Sequence, residues 1–210
     1  MTFDAVLWDM DGTLVDSEHF AVSALRDALL SEGLPVPDDL YDTVVGRAAD
    51  ALYERFVREL GLALSPVDWE ERKLRGYLAC LPQLQGFAPA IAAFHRYAAA
   101  GRAQAVVSNS DRMIMDANLS TVGLARPGLV TVSRNDLRRG KPDPEGYLRA
   151  LWLLECPPAR ALVVEDSLAG AEAGLAAGLS TVFVPHATVA PPPGVRALAD
   201  MDELDRLVLG

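Results

Sequence analysis

The sequence predicts an α/β protein: a doubly wound, Rossmann-like parallel sheet core with an inserted all-helical cap domain. The main observation is that short apolar runs alternate with helical patterns from Gly86 to residue 184. A second is a strand pattern at residues 3–8, and a third is helical periodicity throughout residues 17–84. Alternation of this kind is typical of parallel strands that are joined by right-handed crossovers and covered by helices.

The strand patterns of the core are short, apolar and rich in residues that favour strands. Residues 3–8, Phe-Asp-Ala-Val-Leu-Trp, give the first predicted strand. Further strands are predicted at residues 103–107, 129–132, 161–164 and 181–184. Helices are predicted between them at residues 89–100, 111–122, 143–154 and 168–177. The carboxyl ends of parallel strands share one edge of the sheet, where ligand sites of such folds lie.

The inserted segment carries three helical patterns. The first begins near Ser17, the second places Phe56 on its apolar face, and the third opens with an N-cap at Ser65. Trp69 and Tyr77 are expected in the core of this segment. Since the segment follows the first strand, it is expected to cover the carboxyl edge of the sheet. The predicted domains are the core, residues 1–16 and 85–210, and the cap, residues 17–84.

Composition and charge exclude several classes of function. The chain has 210 residues, 50% of them hydrophobic, and a net charge of −10, which argues against binding to nucleic acid or an anionic membrane. It contains no apolar run of about 18 residues, and no leader pattern precedes the first strand. Cys80 and Cys156 lack the spacing of a metal or redox motif. We expect a cytoplasmic protein, a monomer or weak dimer.

Two aspartates directly follow the first predicted strand. Asp9 and Asp11 are separated by one residue, and Gly12 and Thr13 come next. Two carboxylates at the end of a strand can divide one reaction between them, because one can attack as a nucleophile while the other acts as general acid and base. Taken alone, the pair could equally form a turn or cap the next helix.

Other polar residues follow the later strands or precede the later helices. Ser108 and Asn109 follow one strand, Lys141 precedes a helix, and Glu165 and Asp166 follow another strand. Each has an ordinary alternative, because hydroxyl, amide and carboxylate groups often cap helices and most lysines are solvated. Four acids gathered at one edge would repel one another unless a cation lay between them. Mg²⁺ fits such oxygen ligands.

Together these motifs resemble those of the haloacid dehalogenase superfamily of phosphohydrolases. Residues 9–18, Asp-Met-Asp-Gly-Thr-Leu-Val-Asp-Ser-Glu, resemble its first motif. Ser108-Asn109, Lys141-Pro142 and Glu165-Asp166-Ser167 resemble the second, third and fourth, in the family's order. The inserted helices resemble the family's small helical cap. The chain is most similar to the β-phosphoglucomutase-like group, in which small residues such as Gly170 and Gly174 allow close packing of helix and sheet.

The resemblance implies a role for each motif. Asp9 would attack phosphorus and form an aspartyl-phosphate. Asp11 would protonate the leaving oxygen and later deprotonate the hydrolytic water. Ser108, Asn109 and Lys141 would hold the transferring phosphoryl group. The implied Mg²⁺ ligands are Asp9, the backbone carbonyl of Asp11, Asp166 and, directly or through water, Glu165.

Asp11 favours phosphate esters over organic halides, because a halide leaves without a proton whereas a sugar alkoxide needs one. Mutases of the same group carry a histidine on the first cap helix, where our alignment places Ala21; His19 lies close by. We therefore expect a phosphatase that acts on a small phosphorylated sugar or sugar acid. A β-phosphoglucomutase-type isomerase and a catalytically silent phosphate-ester binding protein remain the alternatives.

Substrate choice is expected to depend on residues of the cap. Gly46 and Arg47 lie where the family's cap loop reaches the site, and Arg47 could pair with a second anionic group of the substrate. Lys73, on the third cap helix, is a weaker candidate. A solvated surface charge is the alternative for Arg47 and Lys73. The expected partner is a small-molecule phosphate ester.

Overall fold

The structure is a computed structural model that describes residues 2–41 and 49–210. The chain divides into two compact units. The core unit comprises Met1–Asp16 and Gln85–Gly210, and the helical unit comprises Ser17–Leu84. Within the described residues, none of the helices is long and apolar enough to cross a membrane.

A six-stranded parallel sheet forms the centre of the core unit. Its strands are β1 (Ala5–Trp8), β4 (Ala103–Val107), β5 (Val130–Val132), β6 (Ala161–Glu165), β7 (Ser180–Phe183) and β8 (Arg196–Ala197), in the order β5-β4-β1-β6-β7-β8. Two further short strands, β2 (Val15–Asp16) and β3 (Gln85–Gly86), pair antiparallel. In the sheet, Trp8 pairs with Val106 on one side and Val164 on the other. This register brings the residues after β1, β4 and β6 to the same edge.

The helical unit contains α1 (Glu18–Ser31), α2 (Ala49–Leu60) and α3 (Pro66–Cys80). The Ser65 hydroxyl caps α3 by accepting a hydrogen bond from the Asp68 N–H, as the sequence predicts. Trp69 is buried with its ring edge-on to Phe56, and Tyr77 is also buried. Both aromatic residues therefore belong to the core of the described helices, as expected.

Five helices of the core unit follow in the chain: α4 (Ala88–Ala99), α5 (Arg112–Thr121), α6 (Glu145–Leu153), α7 (Leu168–Ala176) and α8 (Met201–Val208). The side chains of β1 and β6 are buried along their whole length. Burial on both faces explains why these strands appear in the sequence as continuous apolar runs. The predicted α/β class with a parallel sheet is confirmed.

Candidate active site

Three parallel strands deliver the polar residues of the candidate site to one edge of the sheet. The Asp9 N–H donates to the Val164 carbonyl at 2.9 Å, which extends the pairing of β1 with β6 by one residue. The Ser108 N–H donates to the Val132 carbonyl at 3.0 Å, which extends the pairing of β4 with β5. Glu165 is the last residue of β6. The predicted convergence of these strand ends is therefore present in the structure.

Lys141 lies between two carboxylates. Its Nζ atom is 2.5 Å from Oδ1 of Asp9 and 2.6 Å from Oε1 of Glu165, and its side chain is only 5% exposed. Burial alone would lower the pKa of Lys141, but the charges of Asp9 and Glu165 raise it well above its usual value. Lys141 therefore remains an ammonium group that is held by two carboxylates.

Asn109 fixes the backbone on which Lys141 stands. The Lys141 N–H donates to Oδ1 of Asn109 at 2.8 Å, and Nδ2 of Asn109 donates to the Lys141 carbonyl at 3.1 Å. Gly140 allows this contact, because a Cβ atom there would lie 2.5 Å from Oδ1 of Asn109. The predicted contact between Asn109 and phosphate is not tested by this arrangement.

The carboxylate of Asp9 is satisfied on one side only. Its Oδ2 atom is buried and has no hydrogen-bond partner among the residues that the structure describes. Burial, followed by the negative charge of Glu165, raises the pKa of Asp9 well above its usual value, and the Lys141 ammonium acts against them. A buried oxygen without a donor is costly, so the site suits an additional positive group.

Asp166 adds a third carboxylate beside those of Asp9 and Glu165. Ligand atoms of Asp9, Glu165 and Asp166 lie within 4.8 Å of one another. The Thr13 hydroxyl donates to Oδ1 of Asp166 at 3.2 Å. Gly12 has a φ of +84°, and a Cβ atom there would lie 2.1 Å from Oδ2 of Asp166, so this turn accepts glycine alone. Carboxylate oxygens are the ligands that Mg²⁺ prefers, and Oδ2 of Asp9 has no partner among the described residues, so this cluster suits Mg²⁺.

Glu165 is surrounded by hydrogen-bond donors. Its Oε1 accepts from Lys141 and, at 2.7 Å, from the Tyr147 hydroxyl. Its Oε2 accepts from the Ser167 hydroxyl at 2.9 Å, and the N–H groups of Asp166 and Ser167 lie at 3.2 and 3.3 Å. Ser167, rather than either acid, is the N-cap of α7. Capping therefore does not explain the two acidic residues.

Hydroxyl groups of two serines hold the carboxylate of Asp11. The hydroxyls of Ser108 and Ser110 each donate to Oδ2 of Asp11 at 2.8 Å. Nδ2 of Asn118, in α5, lies 3.5 Å from Oδ1 of Asp11. Of the four acids expected to converge, the described acidic cluster contains three, and the carboxylate of the fourth, Asp11, accepts hydrogen bonds from the two serines. The predicted contact between Ser108 and phosphate remains a prediction.

Comparison with known proteins places these residues in a family. The family model of the haloacid dehalogenase-like hydrolases matches residues 3–178. This chain belongs to the haloacid dehalogenase-like hydrolases. The resemblance inferred from the four motifs is therefore confirmed, and the matched range contains every residue of the site described above.

Relatives of this haloacid dehalogenase-like hydrolase include phosphatases. It is 30% identical to a validoxylamine A 7'-phosphate phosphatase of Streptomyces hygroscopicus subsp. limoneus, with 86% of this chain and 84% of the relative covered. It is 31% identical to hexitol phosphatase A of Escherichia coli, with 85% and 81% covered. The fold matches that of CbbY from Rhodobacter sphaeroides at a TM-score of 0.86, with 24% identity and 97% and 96% covered. The names of the two relatives agree with a phosphomonoester hydrolase.

Four residues around the site are absent from the sequence-based prediction. Ser110 and Asn118 contact Asp11, and Tyr147 contacts Glu165. His186 places Nε2 at 3.1 Å from the Gly12 carbonyl and stacks on Phe87, and burial lowers its pKa below the usual value. Ser110 could have been found, since it follows Ser108 by two residues. Tyr147 has no such signal, because a buried tyrosine on a helix resembles ordinary core.

Four residues named in the sequence analysis belong to the helical unit, and two of them are not described. Gly46 and Arg47 fall outside the described residues. Lys73 lies on α3 and pairs with Glu70 at 2.7 Å. His19 is exposed on α1, with its ring against Phe20. Contacts of these residues with a substrate therefore remain predictions.

Proposed function

We propose that this chain is a Mg²⁺-dependent phosphatase that hydrolyses a small phosphorylated sugar or sugar acid through an aspartyl-phosphate intermediate. One observation carries the proposal. The Asp9 carboxylate is held through Oδ1 by Lys141, while its buried Oδ2 has no partner among the described residues. A carboxylate that is fixed yet incompletely satisfied suits a nucleophile beside a cation.

The relatives support the class of substrate. One relative at 30% identity is named as a phosphatase of validoxylamine A 7'-phosphate, and one at 31% as a hexitol phosphatase. We infer that this chain also acts on a small polyhydroxylated phosphate ester. Because the chain has a net charge of −10, it repels anions, so an anionic substrate needs positive groups at the site in order to bind.

Asp9, Asp166 and the backbone carbonyl of Asp11 would hold the metal, with Glu165 beside them. When bound, Mg²⁺ supplies positive charge next to the transferring phosphoryl group, which phosphoryl transfer requires. Lys141 supplies the second positive charge, and its contact with Glu165 keeps it in place. Ser108 and Asn109 would orient the phosphoryl oxygens through their polar side chains.

In the first half of the proposed reaction, the Asp9 carboxylate forms a bond to phosphorus. The bond between phosphorus and the ester oxygen breaks, and Asp11 gives its proton to that oxygen, which leaves as the sugar hydroxyl. The two serine hydroxyls at 2.8 Å hold the Asp11 carboxylate and limit its rotation. Lys141 stabilises the negative charge of the phosphoryl oxygens.

In the second half, Asp11 takes a proton from water. The oxygen of that water attacks the aspartyl-phosphate and breaks the bond between phosphorus and the Asp9 oxygen. Inorganic phosphate leaves, the Asp9 carboxylate is restored, and Asp11 is again protonated. One residue thus serves as acid and then as base.

The role of the helical unit is a further part of the proposal. We propose that residues 17–84 act as a cap that opens to admit substrate and closes to exclude bulk water. Gly46, Arg47 and Lys73 would contact the part of the substrate distant from phosphorus. A cytoplasmic location and a monomeric or weakly dimeric state stay predictions from the sequence.

The first test is phosphate release from a panel of sugar phosphates and phospho-acids, measured with Mg²⁺ and then with EDTA. We expect release that depends on the metal and differs strongly between substrates. Absence of release, with conversion of β-glucose 1-phosphate to glucose 6-phosphate in the presence of a bisphosphate primer, would identify a mutase. Binding of these esters without turnover of either kind would identify a silent binding protein.

The second test changes the nucleophile. Asp9→Asn keeps the size of the side chain and removes its charge, so turnover should fall by at least about a thousandfold. Asp136→Asn is the matched control, because it makes the same chemical change in the same unit at a carboxylate that binds Ser133. Substantial residual turnover by a folded Asp9→Asn variant would contradict the assignment of the nucleophile.

A further inference from the structure

Tyr147 places a buried hydroxyl group against the candidate active site. Its side chain is fully buried on α6, and the hydroxyl donates to Oε1 of Glu165 at 2.7 Å. The same oxygen accepts from Nζ of Lys141 at 2.6 Å. Lys141 also lies 5.2 Å from the centroid of the Tyr147 ring. Tyr147 therefore contacts Glu165 and Lys141, the ion pair that orients Asp9. It acts on Asp9 through these two residues.

The hydroxyl of Tyr147 acts as a donor in this position. A phenol carries one O–H donor and is neutral near pH 7, whereas the carboxylate of Glu165, 2.7 Å away, can only accept. The proton therefore stays on the phenol oxygen. A hydrogen bond from a neutral donor to a carboxylate is stronger than one between two neutral groups.

Removal of this donor would leave Glu165 less constrained. On the Oε2 side the Ser167 hydroxyl and two backbone N–H groups hold the carboxylate, and on the Oε1 side Tyr147 and Lys141 do so. Without Tyr147, Lys141 alone would fix Oε1. Lys141 is a long, flexible side chain, so its ammonium could shift toward either carboxylate.

We propose that Tyr147 is a positioning residue: through Glu165 it holds Lys141 on Oδ1 of Asp9 and so fixes the orientation of the attacking carboxylate. The proposal rests on the proposed function, because the orientation of Asp9 matters only if Asp9 attacks phosphorus. A misplacement of reacting groups by about 1 Å can lower a rate by a large factor. The hydroxyl of Tyr147 bonds Glu165 and its ring lies beside Lys141, so its effect is expected mainly on turnover.

Tyr97 provides a matched control in the same unit. It is also fully buried, and its hydroxyl donates to Oδ1 of Asp205 at 2.7 Å. Asp205 belongs to α8 and pairs with Arg96, so this tyrosine belongs to the packing of α4 against α8. Tyr147→Phe and Tyr97→Phe therefore remove the same hydroxyl from the same kind of partner, one beside the site and one away from it.

The experiment compares the two variants by steady-state kinetics on the preferred phosphate ester and by thermal melting. Tyr147→Phe should lower kcat by about tenfold and change KM less, because Asp9 and Lys141 act mainly on the phosphoryl group in the transition state. Tyr97→Phe should lose comparable thermal stability and keep kcat within about twofold. Equal kcat values for the two variants would overturn the proposal, as would a loss that falls on KM with kcat unchanged.

A crystal structure of Tyr147→Phe separates this proposal from the proposed function. We expect Nζ of Lys141 to have lost its hydrogen bond to Asp9 or Glu165, whether or not the wild-type protein turns over any ester. An ammonium that keeps both contacts would overturn the positioning role. A wild-type protein without turnover, together with a displaced Lys141 in the variant, would refute the phosphatase and retain the link from Tyr147 to Lys141.

Discussion

Gly170 leaves the space that the carboxylate of Glu165 occupies. A Cβ atom on Gly170 would lie 1.7 Å from Oε1 of Glu165 and 1.9 Å from its Cδ. Gly170 lies in the first turn of α7, whose N-cap, Ser167, donates its hydroxyl hydrogen to the same carboxylate. Gly170 therefore lets α7 approach the end of β6 closely. This approach packs the core and also leaves room for the Glu165 carboxylate in the site.

Gly170→Ala should displace Glu165 and with it Lys141. The methyl group cannot share the space of a buried carboxylate, so we expect kcat to fall by at least about tenfold, with destabilisation of about 2 kcal/mol. Gly174→Ala is the matched control, because a Cβ atom there would lie 2.5 Å from Oγ1 of Thr181, away from Glu165. The Gly174→Ala variant should be less stable than wild type, but its folded molecules should have the kcat of the wild type. A Gly170→Ala variant with unchanged kcat would contradict the role of Glu165 in holding Lys141.

Gln104 satisfies two polar groups inside the core. Its Oε1 accepts from Nε1 of Trp8 at 2.9 Å, and its Nε2 donates to the Phe94 carbonyl at 3.0 Å. Gln104→Leu would leave the indole N–H buried without a partner, so we expect a loss of about 2 kcal/mol in the free energy of unfolding, measured with urea. Gln85→Leu, at an exposed position of β3, should change it by less than about 0.5 kcal/mol. Equal effects of the two variants would refute this account.

Asp136 should make the free energy of unfolding depend on pH. Burial acts to raise its pKa, but hydrogen bonds from the N–H and hydroxyl of Ser133, and then Arg112, lower it overall. A carboxyl whose folded pKa is lowered stabilises the protein above its unfolded pKa, near 3.8, and loses this contribution as the pH falls through the folded value. Asp136→Asn should therefore cost about 1 kcal/mol near neutral pH, and the difference from wild type should shrink below about pH 4.

The control for this pH dependence is Asp116→Asn. Asp116 pairs with the same Arg112 at 3.3 Å, but its side chain is 61% exposed. We expect this variant to unfold within about 0.5 kcal/mol of wild type in urea titrations from neutral pH to about pH 3. A difference between wild type and Asp136→Asn that stayed constant over this range would show that the charge of Asp136 does not stabilise the fold.

Much of this architecture was accessible from the sequence because parallel strands end at a common edge. Lys141 and Asp9 are 132 residues apart, yet their ion pair follows from placing polar residues at strand and helix ends. The short strands β2, β3 and β8 were not predicted, since two residues carry no periodicity. The last helix, α8, was also missed, because it follows a proline-rich loop and no strand pattern beyond β7 marked it.

Side-chain contacts were harder to predict than strand ends. Tyr147 and Glu165 meet across α6 and β6, and nothing in the local pattern distinguishes this tyrosine from an apolar core residue. The contact of Ser108 with phosphate stays a prediction, while the hydrogen bond from its hydroxyl to Oδ2 of Asp11 was not foreseen. A hydroxyl can donate to either group, so residue type alone did not specify the partner.

Ser110→Ala should lower kcat/KM most for esters whose leaving group needs a proton. Its hydroxyl donates to Oδ2 of Asp11 at 2.8 Å, and Asp11 is the proposed donor of a proton to the leaving oxygen. Ser110→Ala removes one of the two serine donors that orient this carboxylate. We expect kcat/KM for a sugar phosphate to fall by about tenfold, and kcat/KM for p-nitrophenyl phosphate by about twofold or less, because nitrophenolate leaves without a proton.

Ser110→Thr is the control, because it keeps a hydroxyl at the same position and should retain most of the activity toward both esters. The ratio of the two kcat/KM values separates the role in acid catalysis from general damage, which would lower both values alike. If Ser110→Ala lowered turnover of p-nitrophenyl phosphate as strongly as that of the sugar phosphate, Ser110 would act on the phosphoryl group rather than through Asp11. In that case Ser110, together with Ser108, would belong to the phosphate-binding groups.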